Sequence, residues 1–314
     1  MYFPYLRGKQ FELIAIRELC DKFSDEFQKK ISPVIEPVKT SSTLKSTLKE
    51  LSLKGVNFSI IINPFVGDLK HRYQDIIDIL EDYIPEYENY QIAIILDPNP
   101  EQSLSDIIQC IGSSDLKYKG ISLIHKVDFP KRLIDVVMSS LNVIYNFIYF
   151  SRTTRRYNQE FDLKTTVSLD DYFKYEKRSV DYSDEESIFS EEYRYYKEDG
   201  FAGFSDFLTI GDVYSESGFL PRAVVIHLSF VDKEQKFKVR HFVSDSNEDI
   251  SDVAGKFSVA VSKLVKWCDS NAINTEAVKI FTELHNTGKF PGLGTIKKLS
   301  IMNHIEVVIK HIKL

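Results

Sequence analysis

FSIIINPF (residues 58–65) and IAIILDP (residues 92–98) decide how this chain is read. Each is an unbroken apolar run of strand length that stops at a polar residue and a proline. A strand exposed to water on one face alternates apolar and polar residues; a run without alternation is buried on both faces. ISLIH (121–125) and VIYNFIYF (143–150) repeat the pattern. Strands of this kind belong to a parallel sheet covered by helices.

Working outward, strand-like runs fall at Tyr2–Leu6, Ser32–Lys39, Asn57–Pro64, Gln91–Pro98, Gly120–Lys126 and Val143–Phe150. The stretches between them have helical spacing. Lys9–Lys29 carries Phe11, Ile14, Ala15, Leu19, Phe23 and Phe27; later stripes are Leu44/Leu48/Leu51, Ile76/Ile77/Leu80/Ile84 and Leu104/Ile107/Ile108. Ser41 or Ser42 and Ser103 are candidate helix caps. Alternating strands and helices imply right-handed crossovers in one parallel sheet. FAGFSDFLTIGD (201–212) and AVVIHLSF (223–230) bring the strands to eight, which predicts an α/β fold of the (βα)8 TIM-barrel type. The alternative, an open doubly wound sheet, calls for a glycine-rich phosphate turn, and no GxGxxG occurs.

The expected organisation is a single barrel-like domain over 1–314. Residues 151–200, dense in Tyr, acids and Lys, form an insertion or lid, and 252–314 a mainly helical C-terminal segment. KFKVRHFVSD (236–245) is the return strand of a hairpin with AVVIHLSF, and GKFPGLGT (288–295) is a helix-breaking turn.

Composition narrows the class. The chain has 314 residues, 43% hydrophobic and 27% charged, with a net charge of −6. That is a globular composition, and its acidity argues against a whole-surface nucleic-acid binder while leaving room for a local basic cleft. No apolar run spans a bilayer and no secretory leader opens the sequence. Three scattered cysteines, Cys20, Cys110 and Cys268, fit a reducing compartment and have no metal spacing. The expected location is cytoplasmic.

In a parallel barrel the site lies at the carboxyl ends of the strands. The polar residues there are Arg7 and Lys9 after the first strand, Glu36 after the second, Asn63 and Asp97 after the third and fourth, His125 and Lys126 after the fifth, and Asp206 and His227 later. Arg7-Gly8-Lys9 at a helix start makes a cationic, amide-rich corner suited to phosphate or carboxylate; pairing of its cations with Glu36 or Asp97 is the competing reading. Glu36, Asp97 and His125 are the candidates for proton transfer or for holding a divalent metal, or for closing the barrel top by hydrogen bonds. Arg7, Lys9, Asn63, Asp206 and His227 are candidates for substrate binding. His227 and His241 lie on consecutive strands, but no HExxH or HxH spacing supports zinc, and no metal site or cofactor is assigned. YFSRTTRRY (149–157) combines Arg and Tyr, as nucleic-acid contacts do.

YFPYLRGKQFELIAIREL (2–19), ISPVIEPVK (31–39), GFSDFLTIGD (203–212), AVVIHLSF, VRHFVSD (239–245), AGKF (254–257) and GKFPGLGTIKKLSIMNHIE (288–306) together resemble an uncharacterised bacterial family carrying an sce-series locus name, related to the phage beta-protein family. The resemblance implies a barrel-type α/β fold, a small companion protein encoded nearby and a place in phage–host conflict; it carries over no catalytic residue. The resulting expectation is an enzyme acting on an anionic, phosphate-bearing substrate, a nucleotide or nucleic acid, in a phage-defence-type system. The alternative is a non-catalytic sensor or scaffold subunit that binds the companion protein.

Overall fold

A computed structural model describes residues 1–96, 104–182, 186–216, 222–245 and 250–313. The chain divides into two compact units: Met1–Asp170 with Glu192–Asp206, and Asp171–Glu191 with Phe207–Ile312.

The first unit is a closed barrel of eight parallel strands. In chain order its elements are β1 (Tyr2–Leu6), α1 (Gln10–Lys30), β2 (Val34–Ile35), α2 (Ser42–Leu53), β3 (Phe58–Ile61), α3 (Tyr73–Tyr83), β4 (Tyr90–Leu96), α4 (Leu104–Ser113), β5 (Gly120–His125), α5 (Lys131–Ser140), β6 (Val143–Tyr149), α6 (Arg155–Asn158) and β7 (Thr166–Asp170). After β8 (Glu186–Ser190), which belongs to the second unit, come α7 (Glu192–Tyr195) and β9 (Gly203–Asp206). The barrel order is β1-β2-β3-β4-β5-β6-β7-β9, and β9 pairs with β1 to close it. The (βα)8 TIM-barrel-like fold is therefore present. The expected helix over 9–29 is α1, and the expected cap at Ser41 accepts a hydrogen bond from the Leu44 amide at 3.1 Å. Ser103 lies outside the described residues.

Two strand assignments need correction. The seventh barrel strand is Thr166–Asp170, inside the stretch read as an insertion, and FSD at 204–206 ends the eighth. AVVIHLSF is not a barrel strand; it lies in β10 (Val225–Val231) and the residues just before it, in the second unit. β7 escapes notice because its sequence, TVSLD, alternates instead of running apolar.

Which side of each strand faces the interior follows from ring contacts. Phe3 of β1 meets Tyr145 and Phe147 of β6, each at 5.1 Å between centroids, although the two strands are not neighbours in the sheet. These side chains therefore cross the barrel interior, where each of the fully buried rings, Phe3 and Phe147, contributes about 1.5–3 kcal/mol. Period-2 alternation and the strand register carry the assignment round the ring. Tyr5 is level with Val34, Val34 with Ser59, Ser59 with Gln91, and Ile124 with Phe147. Continued one step beyond the strands, Arg7, Glu36 and Lys126 fall on the inward side. Gly203, beside this closure, has no room for a side chain: an added Cβ would lie 2.4 Å from the Met1 carbonyl oxygen and 2.5 Å from the Phe3 ring.

The second unit is a three-stranded antiparallel sheet in the order β10-β11-β8, with β11 spanning Phe237–Val243. β10 and β11 form the expected hairpin. Helices α8 (Val253–Asn271), α9 (Glu276–Thr287) and α10 (Leu293–His311) make up the C-terminal part. Trp267 of α8 packs on Phe230 and Phe242, while His304 of α10 packs on Phe189 and Phe237. Two glycines of GKFPGLGT bracket the expected turn: Gly288 takes φ 61° at the end of α9, and Gly292 takes φ 88° just before α10, which already contains Leu293–Thr295. Among the described residues no helix is long and apolar enough to cross a membrane.

Candidate functional site

Glu36 organises the carboxyl end of the barrel. Its side chain is fully buried and forms an ion pair with the Arg7 guanidinium, itself buried. The Tyr5 hydroxyl donates to Glu36 Oε2 at 2.7 Å and the Phe65 amide to Oε1 at 2.9 Å. Burial pushes the Glu36 carboxyl up, but Arg7, Lys126, the Phe65 amide and the Tyr5 hydroxyl together outweigh it and hold it below 4.5. A carboxylate stabilised in this way is a poor proton acceptor. Its geometry fits the positioning of cations better than proton exchange.

Lys126 follows β5 and stands over two rings, 5.8 Å from the Tyr5 centroid and 5.6 Å from that of Phe65. It is half-buried. One strand further round, Arg152 covers the Tyr149 ring at 4.2 Å. Arg7 in turn lies 5.2 Å from Tyr5. Three cations thus stand on aromatic rings at the carboxyl ends of β1, β5 and β6. Of these groups sequence reasoning placed Arg7 and Lys126 at strand ends, and Arg152 was visible in the Arg/Tyr run.

The Arg-Gly-Lys corner is filled by the protein itself. The Arg7 amide donates to Glu12 Oε2 at 2.7 Å, so the carboxylate at the start of α1 is the chain's own. Gly8, at φ +62°, faces the second strand's end rather than open space: a Cβ there would lie 3.0 Å from the Glu36 carbonyl oxygen. Lys9 occupies the N-cap position of α1 without capping through its side chain.

The remaining candidates separate. Asn63 pairs with the backbone of Ile95: its Nδ2 donates to the Ile95 oxygen and the Ile95 amide donates to its Oδ1, both at 2.9 Å. It extends the β3–β4 pairing beyond Ile61. His125 lies level with Ile148, on the opposite side of β5 from Ile124, and so faces out of the barrel. Its Nε2 lies 3.1 Å from Asn146 Oδ1 and its Nδ1 2.6 Å from the Tyr157 hydroxyl of α6. Since a carbonyl oxygen only accepts, Nε2 carries the proton and the Tyr157 hydroxyl donates to Nδ1. Burial lowers the imidazole to about 4, against the opposing pull of the Asn146 bond, so it is neutral at pH 7. Asp206 also faces outward, level with Pro4, and accepts from the Tyr2 hydroxyl at 2.7 Å. Asp97 lies outside the described residues.

His227 belongs to the second unit, where it sits directly across from His241. Among the described residues no cluster of three or more His, Cys, Asp or Glu forms a metal site. The barrel face on which (βα)8 proteins carry their sites therefore gathers Arg7, Glu36, Lys126 and Arg152 with three aromatic rings. Compared with family models, curated proteins and solved structures, the chain matches none, so its function is read from this arrangement.

Proposed function

We propose that the barrel binds a phosphate-bearing ligand, a nucleotide or the end of a nucleic acid, at its carboxyl-end mouth. The observation that carries this reading is the placing of Lys126 and Arg152 on the rings of Tyr5, Phe65 and Tyr149 at the ends of adjacent strands. Cations attract the phosphate, and aromatic faces suit a base or sugar. In this reading Glu36 orients Arg7 and Lys126 and does not itself exchange a proton. Any chemistry performed on the ligand draws on groups beyond this cluster.

The test is calorimetric titration with pyrophosphate and with a nucleoside triphosphate, at low and at physiological salt. Binding that weakens with salt, and is lost in Lys126→Gln and Arg152→Gln while both variants unfold like wild type, supports the reading. No binding at low salt overturns it.

A second reading is favoured by one observation: Arg7 and Glu36 are sealed against each other. A non-catalytic subunit, using the barrel as a stable body for a companion protein in a defence system, needs no open polar site. Absence of phosphate binding together with co-purification of a companion protein would favour it.

A further inference from the structure

His227 and His241 bring two metal-ligating side chains together in the second unit. They are directly opposite each other on β10 and β11. Two backbone bonds fix the parity of this ladder: the Ser244 amide donates to the Val224 oxygen and the Asp232 amide to the Lys236 oxygen. Counting inward from either, His227–His241 is a non-hydrogen-bonded pair, the kind whose side chains stand closest. The two Nδ1 atoms lie 2.7 Å apart. At that distance one ring donates and the other accepts, so both lone-pair directions converge on one bridging proton.

The surroundings are aromatic. Phe173 lies 5.0 Å from the His227 ring and 6.1 Å from that of His241, and Tyr182 lies 4.8 Å from both. A metal takes the neutral form of both imidazoles. Zinc requires four ligands, and among the described residues no third His, Cys, Asp or Glu completes such a set here.

We propose that His227 and His241 bind a monovalent soft cation, Cu(I) or Ag(I), as a two-coordinate bis-imidazole site through their Nδ1 atoms. Such d10 ions take two nitrogen donors in line, the geometry that the bridging proton already occupies. Metal–imidazole bonds of about 2 Å require the nitrogens to stand roughly 4 Å apart, so the rings open by about 1 Å. The proton leaves Nδ1 of the donating ring for Nε2 of the same ring, and no net proton is released. Imidazole nitrogens in this setting favour Cu(I) over ions that keep a hydration shell.

The test uses the 314-residue chain carrying Cys110→Ser, which removes the most accessible thiol. Cu(I) is titrated anaerobically against a chromophoric chelator, with Ag(I) in parallel. The expected result is one equivalent bound, an X-ray absorption spectrum with two nitrogen neighbours and no sulfur, and loss of that equivalent in His227→Ala and in His241→Ala. Zn(II) is not retained. Sulfur neighbours, undiminished binding in both variants, or no binding in wild type overturns the proposal. Should the alanine variants unfold, the spectrum of the Cys110→Ser protein decides alone.

Discussion

Arg7 and Glu36, at the ends of adjacent strands, neutralise each other behind the barrel mouth. Neither charge has appreciable access to water. Removing one partner takes away the other's nearest counter-charge in a low-dielectric setting, whereas replacing both removes the desolvation cost as well. Glu36→Ala is expected to cost about 3–5 kcal/mol in urea unfolding, and Arg7→Met/Glu36→Met to recover most of it. Acid acts in the same direction. The folded-state carboxyl lies below 4.5, so its contribution is complete above that pH and is lost as pH falls through the lowered value. A double variant more unstable than Glu36→Ala would show that the pair has another role.

His125 gives a second acid-sensitive step. Its folded value is about 4 against 6.5 for the unfolded chain, so the unfolded state takes up a proton first. Stability therefore falls as pH drops from 6.5 to about 4 and levels off below. An NMR titration following the His125 ring protons should show no protonation at pH 6, and His125→Gln should flatten the dependence of unfolding free energy on pH within that window. A His125 that protonates near 6.5 would show that the ring is solvated.

Asn63 holds β3 to β4 where the regular ladder has ended. Asn63→Ala leaves the Ile95 amide and carbonyl without these partners and is expected to cost about 2 kcal/mol. Asn63→Asp keeps the acceptor, loses the donor and brings a carboxylate against the Ile95 oxygen, so it should be the worse of the two. Thermal unfolding of both variants ranks them; equal stability to wild type would assign Asn63 no structural part.

Much of the barrel is legible in the sequence because β3 to β6 are continuous apolar runs, which only a doubly covered sheet requires. β7 is not legible. Thr166, Ser168 and Asp170 alternate with Val167 and Leu169, while AVVIHLSF, more apolar, belongs to another sheet. The site was legible only to the level of strand ends. A shift of one residue turns a strand-end side chain from the mouth to the outside, and that separates Lys126, over Tyr5, from His125, under Tyr157. At the Gly8 corner the sequence leaves an anion site and pairing of Arg7 with Glu36 both open, and the pairing is what forms; Glu12, in the first turn of α1, gives no local sign that it reaches back to the Arg7 amide.

The order in which the strands leave the ribosome follows from the interleaving of the two units. A nascent chain that ends at Asp170 has made seven of the eight barrel strands, so β1 and β7 present unpaired edges. What emerges next is β8, whose partner β11 is still untranslated. Until Asp206 is out neither unit has closed its sheet, and until Val243 the second cannot. An early-terminated product therefore exposes open strand edges, which recruit other chains into aggregates. Translation of this protein passes through a window in which chaperone protection matters most, between residues 170 and 243.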